Sequence, residues 1–479
     1  MARLPKPGAD DNIWGTVLND YLSVAHGTDG SLREKSVNTT VIADGAVTGT
    51  KLDSHTQTIL NSVADKYIKP ADGIPATDLS ASVQASLETT EASADDKGVV
   101  QLAGDLGGTA AQPTVPGLVG KVDKSTILHN VKDYGAVGDG VADDTAAITA
   151  ALASGGITFF PAGTFTHSGL TLSSGAHLLG IGSGGYVKNY APAYQASVGQ
   201  AWRSVLKLKD NANASSITIP AGTGHGVIEA LEINGNKASQ TAGTGHGINL
   251  PGSTYAEEAQ WKFNKVYVHD TYGSGLYIGS NRQGCSTLQS VYFACGRSDA
   301  TGGSGIVIAG SDTTVDTCFI GVSWSDGIKI LSSVNRIIST EVFSNVTSGS
   351  GAGVGIAIAD GYGCSRNIIT NCTLDRCAGH GMYVGTAAVS NLISNNIFHS
   401  NSQKANGTYY HLNMKESSNL FIGNQISKND TSASTNKPNY AVFVAAGKTL
   451  YGKNLNVVDA AAYNTAPIND TALLIAPNL

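Results

Sequence analysis

The residues able to do chemistry here are carboxylates set among glycines: Glu232, Asp270, Asp299, Asp312, Asp326, Glu341, Asp360 and Asp375. Hydrolysis of a glycosidic bond needs two carboxyls across the scissile bond, about 5 Å apart for retention or about 6.5–9.5 Å for inversion. Asp299 and Asp326 precede consecutive apolar segments, "GSGIVI" and "SDGIKI", and are the expected catalytic pair. The competing reading makes both ordinary turn aspartates. His380, in "GHGMYV", is a third catalytic candidate, although Gly-His-Gly occurs at 224–226, 245–247 and 379–381, as a repeat with glycine-flanked turns would yield by itself. A lyase would instead need a base, such as Lys329, and a way to neutralise a uronate carboxylate, often Ca²⁺. No group of acids reads as a calcium cage, so no metal and no cofactor is expected, and hydrolysis ranks above elimination.

The elements that must position these groups repeat along the chain. Pairs of apolar residues five apart recur as Phe263/Val268, Leu288/Phe293, Val315/Ile320, Ile338/Phe343, Ile369/Leu374, Ile393/Phe398 and Phe421/Ile426. The second member advances by 25, 27, 23, 31, 24 and 28 residues. Between them lies a further short strand, seen in "GHGINL", "GSGLYI", "SDGIKI" and "GHGMYV". A repeat of this length with two or three short strands predicts an all-β parallel β-helix, with coils stacked about 4.8 Å apart. In the further strand Leu276/Ile278 and their equivalents point inward, so Asn249, Tyr277, Val307, Lys329, Ala357 and Tyr383 form an outward row. Asn249, Tyr277, Lys329 and Tyr383 are the expected substrate-binding residues, because an extended row suits a polysaccharide and tyrosine rings can stack on sugars. Outward tyrosines are also common on β-surfaces for packing reasons alone.

Charged residues make up only 14% of the chain, glycine is abundant at 58 residues, and the net charge is −7. With no Lys/Arg cluster, nucleic acid is not an expected partner. No run of about 18 apolar residues could span a bilayer, and "MARLPKPGADDN" lacks the apolar core of a signal peptide, so synthesis in a cytoplasm is expected without membrane insertion. Six cysteines without a metal-type spacing read as buried free thiols. Asp10-Asp11 and Asp143-Asp144 read as solvent-facing or helix-capping.

Three segments are expected: an N-terminal segment over 1–40, an oligomerising stalk or linker over 41–125, and the β-helix over 126–479. In the first, Ile13, Trp14, Val17, Leu18, Tyr21 and Leu22 have helical spacing. In the second, Leu52/Gln57/Leu60 and Leu79/Gln84/Leu87 repeat one pattern in units too small to bury a core alone, which suggests partner copies.

"LPKPGADDNIWGTVLNDYL" and "GVVQLAGDLGGTAAQPTVPGL" resemble the N-terminal part of bacteriophage tail fibres and minor tail proteins. "VKDYGAVGDGVADDTAAITAALA" resembles the opening of the pectate-lyase-like β-helix superfamily, with its right-handed solenoid and a capping helix. Asp326 and His380 resemble a catalytic Asp and the His of polygalacturonases. The pattern departs at Val354, where that family has an Asp pair, in the two-coil gap between Asp326 and His380, and in the lack of an Arg-Ile-Lys motif. These resemblances imply a homotrimeric tailspike in a virion tail, joined to other tail or baseplate proteins by its N-terminus. It would bind, or bind and depolymerise, a host surface polysaccharide. A non-catalytic receptor-binding or structural tail protein and a polysaccharide lyase are the alternatives.

Overall fold

The computed structural model describes residues 3–34, 43–64, 76–87, 107–109, 112–114, 127–183, 203–243, 245–296, 303–343, 353–427, 436, 438–453, 455–457, 466–468 and 473–475. The chain separates into two compact units, Met1–Val119 and Gly120–Leu479.

In the first unit the helical spacing gives the helix Trp14–Leu22, none of whose residues is buried. The repeated pattern gives two copies of one device, a 3₁₀ turn followed by a helix: Gly49–Lys51 then Ser54–Ala64, and Ala76–Asp78 then Ala81–Leu87. The Leu-to-Gln spacing has a local cause. Gln57 Nε2 donates to the Leu52 carbonyl at 2.5 Å, and Gln84 Nε2 to that of Leu79 at 2.8 Å. Asp10 is not solvent-facing as the sequence suggests. It is 4% exposed, and its carboxylate takes both Arg3 Nη1 and Nη2 at 2.6 Å as well as the Lys6 N–H.

The second unit is an all-β parallel β-helix. Apart from the short parallel pair Glu257–Glu258 and Arg282–Gln283, its described strands form three parallel sheets of 13, 12 and 11 strands, here sheets I, II and III, and each full coil contributes one strand to each. At the corner from sheet I to sheet II the chain turns on a single left-handed residue: Ala230, Lys265, Gln289, Thr317, Ser339, Asn371, Asn395 and Gly423, with φ between 49° and 63°. This conformation is costly for a β-branched side chain such as Thr317. Ahead of sheet I an asparagine ladder links coils, with Asn335, Asn367, Asn391 and Asn419 each accepting the backbone N–H of the preceding rung through Oδ1.

The core columns differ from the sequence reading in two coils. Sheet II register aligns Val268, Tyr292, Ile320, Val342, Leu374 and Phe398, all at 0% exposure. The inward members are thus Thr287/Tyr292 and Ile337/Val342, rather than Leu288/Phe293 and Ile338/Phe343. A one-residue slip moves a side chain to the opposite face. The polar core pair escapes a hydrophobic search because it satisfies itself: Thr287 Oγ1 and the Tyr292 hydroxyl lie 2.8 Å apart. Phe343 lies outside and covers Gly321, where a Cβ would come within 2.4 Å of its ring.

The first coils carry the helix Thr145–Ala153, which buries Ile148 and Ala151 in the core. The expected pair of caps divides its labour. Asp143 accepts the Thr145 N–H, whereas Asp144 turns back to accept the N–H groups of Val137 and Gly138. All six cysteines are buried and unpaired, and burial raises their thiols, that of Cys295 to about 12.

Candidate functional site

Sheet III carries most of the residues singled out by sequence. Register places Asn249, Tyr277, Val307, Lys329, Ala357 and Tyr383 in one outward column, flanked inward by Leu276/Ile278 and their buried equivalents. At about 4.8 Å per coil, Asn249 and Tyr383 are about 24 Å apart. The column therefore contains two separated groups: Asn249 beside Tyr277, and Tyr383 two coils beyond Lys329.

The glycine that precedes most sheet III strands is steric in origin. A Cβ on Gly275 would meet the Gly305 carbonyl at 2.7 Å, and one on Gly381 the His411 carbonyl at 2.7 Å. The residue before that glycine ties neighbouring coils. The backbone N–H of the next coil's equivalent residue donates to Ser215 Oγ (from His246), His246 Nδ1 (from Ser274), Ser274 Oγ (from Ser304), Asp326 Oδ1 (from Val354) and His380 Nδ1 (from Tyr410). The three Gly-His-Gly segments occupy two kinds of corner. Those at His246 and His380 precede sheet III, whereas His225 precedes sheet I with a left-handed φ of 63°.

His380 has both ring nitrogens engaged. Nδ1 accepts from Tyr410, and Nε2 lies 2.9 Å from the Asn413 amide. A neutral ring that accepts at Nδ1 carries its proton on Nε2, so the Asn413 amide faces it with its oxygen, which also gives the otherwise unpartnered Asn413 Oδ1 a donor. Burial lowers the imidazole to about 4. His380 stacks on Tyr410 at 5.1 Å, and Tyr410 on Phe443 at 4.7 Å. His246 likewise stacks on Tyr277 at 4.8 Å. The Tyr383 hydroxyl is anchored on both Asp360 oxygens at 2.8 and 2.9 Å.

Asp326 is different. It is 7% exposed, and burial raises its carboxyl to about 6, against the pull of Lys329 three residues on and the Val354 N–H. Such an acid keeps a proton close to neutral pH, which a general acid requires. Its expected partner Asp299 lies outside the described residues.

Sheet II carries a charged cluster of its own. Glu232 is 4% exposed and lies between Arg203 Nη1, at 2.7 Å, and His269 Nε2, at 3.2 Å. His269 Nδ1 lies 2.8 Å from Asp270 Oδ2, and Lys237 Nζ is 3.8 Å from Asp270 Oδ1. Burial opposes the His269 charge, but hydrogen bonds from Asp270 and Glu232 outweigh it and hold the imidazole above its ordinary range. Tyr267 stacks on His269 at 4.5 Å. Farther along this sheet Asp375 pairs with His399 and Arg376, each at 2.8 Å. The sequence could suggest these groups only one at a time, because the first cluster draws on three coils. Among the described residues no group of three His, Cys, Asp or Glu is placed to hold a metal.

Two family models match the β-helix unit. One, "Rhamnogalacturonase A/epimerase, pectate lyase-like", covers residues 128–322, and the other, "Right handed beta helix region", covers 246–426. The solenoid is accordingly right-handed. A mannuronan C5-epimerase of Azotobacter vinelandii is 48% identical over 69 residues, which is 12% of this chain and only 7% of that protein's length. Among solved structures, the enzymatically active domain of tailspike protein 2 from bacteriophage CBA120 matches with a TM-score of 0.52 at 16% identity, over 69% of this chain and 51% of that one. The full-length tailspike protein 2 of an Escherichia coli bacteriophage gives a TM-score of 0.51 at 16% identity, over 69% and 46%. At that identity the likeness is one of fold.

Proposed function

We propose that the protein is a phage tail fibre or tailspike whose β-helix binds a host surface polysaccharide and cleaves it by endo-glycosidic hydrolysis. In this reading it is a homotrimer, joined to other tail or baseplate proteins through its N-terminal unit. The reading is supported by solenoid neighbours named as tailspikes and by a short stretch shared with enzymes named for a polysaccharide substrate. The observation that carries it is Asp326: a carboxyl kept protonated by burial, beside Lys329, on the face whose outward column holds Asn249, Tyr277 and Tyr383. Asp326 protonates the leaving glycosidic oxygen, and Asp299 supplies the second carboxylate. His380, with both nitrogens occupied, positions the coil beside this face.

A second reading, binding without cleavage, is favoured by the stacked rings on this face, which pack against one another as a structural ladder would. Incubating the protein with host wall polysaccharide separates the two. New reducing ends and shorter fragments are expected; bound but intact glycan would leave only the binding function.

A further inference from the structure

We propose that the sheet II cluster around Arg203 and Tyr267 is a second glycan subsite, built to take the carboxylate of an acidic sugar. It rests on the reading of the protein as polysaccharide-binding and adds a substrate class and a separate location.

A guanidinium offers five N–H donors in a planar fork suited to a carboxylate. Arg203 makes one hydrogen bond among the described residues, from Nη1 to Glu232 Oε2, and its Nε is buried without a partner. Its side chain is still 30% exposed, so the rest of the fork can meet a ligand. Beside it the Tyr267 hydroxyl makes no hydrogen bond among the described residues. Burial and the charges of Glu232 and Asp270 hold that phenol above its ordinary range, so it stays a neutral donor.

The local charge favours an anion. Arg203 and Lys237 face Glu232 and Asp270, and His269, held above its ordinary range, presents a ring nitrogen to each of the two carboxylates. Each oxygen of both acids lies within 4 Å of Arg203, His269 or Lys237, so neither carboxylate stands uncompensated beside the open guanidinium. A planar carboxylate can accept from the open side of the Arg203 fork while the Tyr267 hydroxyl holds a ring or carboxyl oxygen. A neutral sugar hydroxyl would satisfy only one of these donors.

Titration calorimetry on the full-length protein tests this with a mannuronate hexamer, neutral cellohexaose and dextran sulfate, alongside host wall polysaccharide. Arg203→Lys keeps the charge and loses the fork, and Tyr267→Phe loses only the hydroxyl. Each is expected to weaken mannuronate binding by about tenfold to a hundredfold, the loss typical of one charge-assisted hydrogen bond, with an unchanged unfolding temperature. Cellohexaose is expected to bind weakly and equally to all forms. Unchanged mannuronate affinity in both variants, or dextran sulfate binding as tightly as mannuronate and with the same sensitivity, would overturn the subsite. If host polysaccharide still binds in that case, the broader reading survives; if no glycan binds at all, both fall.

Discussion

His380 Nδ1 accepts the backbone N–H of Tyr410, one coil farther along, at 2.9 Å. The same bond is made by Ser274 to Ser304 and by Asp326 to Val354, so three chemically different side chains serve as rungs of one ladder. Their shared property is an acceptor at the right height. His380→Ala leaves the Tyr410 N–H without its partner, and a cost of about 1–3 kcal/mol is expected in chemical denaturation. His380→Asn, which restores an acceptor, is expected to recover much of that loss. Equal stabilities for the two variants would count against the ladder.

Protonation should act in opposite directions at Asp326 and at the buried histidines. Burial raises Asp326 from 3.8 to about 6, so the folded state holds its proton more tightly than the unfolded chain. Stability from this group is full below pH 3.8 and is lost as pH rises to 6. Asp326→Asn keeps an acceptor for Val354 and removes the charge. It is expected to match the wild type at the acid end and to exceed it by about 2–3 kcal/mol above pH 6, from 1.36 kcal/mol per unit. A constant difference across pH would contradict the burial argument.

His246 and His380 are lowered to about 4 by burial, so their contribution is present above the ordinary imidazole value of 6.5 and is lost as pH falls from 6.5 toward 4. Replacing both with Asn should flatten the acid limb of the stability curve over that interval. An unchanged acid limb would show that neither is held neutral by the fold.

Arg282 is the largest charged side chain with no exposure. It donates to the carbonyls of Ile219, Pro220, Pro251 and Thr223, and its Nε lies 2.8 Å from Glu257 Oε1 in a contact too bent to be a hydrogen bond. One guanidinium thereby satisfies carbonyls from two preceding coils. Arg282→Ala is expected to cost about 3–5 kcal/mol, as for a buried pair broken on one side. A loss below 1 kcal/mol by calorimetry would mean that water replaces these bonds.

At the sheet I–II corner, Thr317 adopts φ 52° with a β-branched side chain. Thr317→Gly should relieve that strain and stabilise the protein by about 0.5–1 kcal/mol, net of the glycine's greater unfolded-state entropy. Destabilisation would show that the Thr317 hydroxyl bond to Asp316, at 2.9 Å, outweighs the backbone.

The solenoid was legible because its core columns are mostly Ile, Val, Leu and Phe, and because the glycine before most sheet III strands is enforced by close backbone approach. The pattern misleads where the core is polar, at Thr287/Tyr292, since two half-buried neighbours, Leu288 and Phe293, imitate the missing apolar pair. The outward sheet III column followed directly from strand alternation. The sheet II cluster did not: Arg203, Glu232 and His269 are 29 to 66 residues apart in sequence, and only coil register brings them together. Asp326 was identifiable by position, whereas its raised pKa is a consequence of burial that spacing does not encode.

The most direct test of the central claim is a reducing-end assay on host wall polysaccharide across pH 4–8, with wild type and Asp326→Asn. Wild type should release reducing ends with a rate that falls above pH 6, as Asp326 loses its proton, while the variant should bind the glycan and release none. Full turnover by Asp326→Asn would contradict the account.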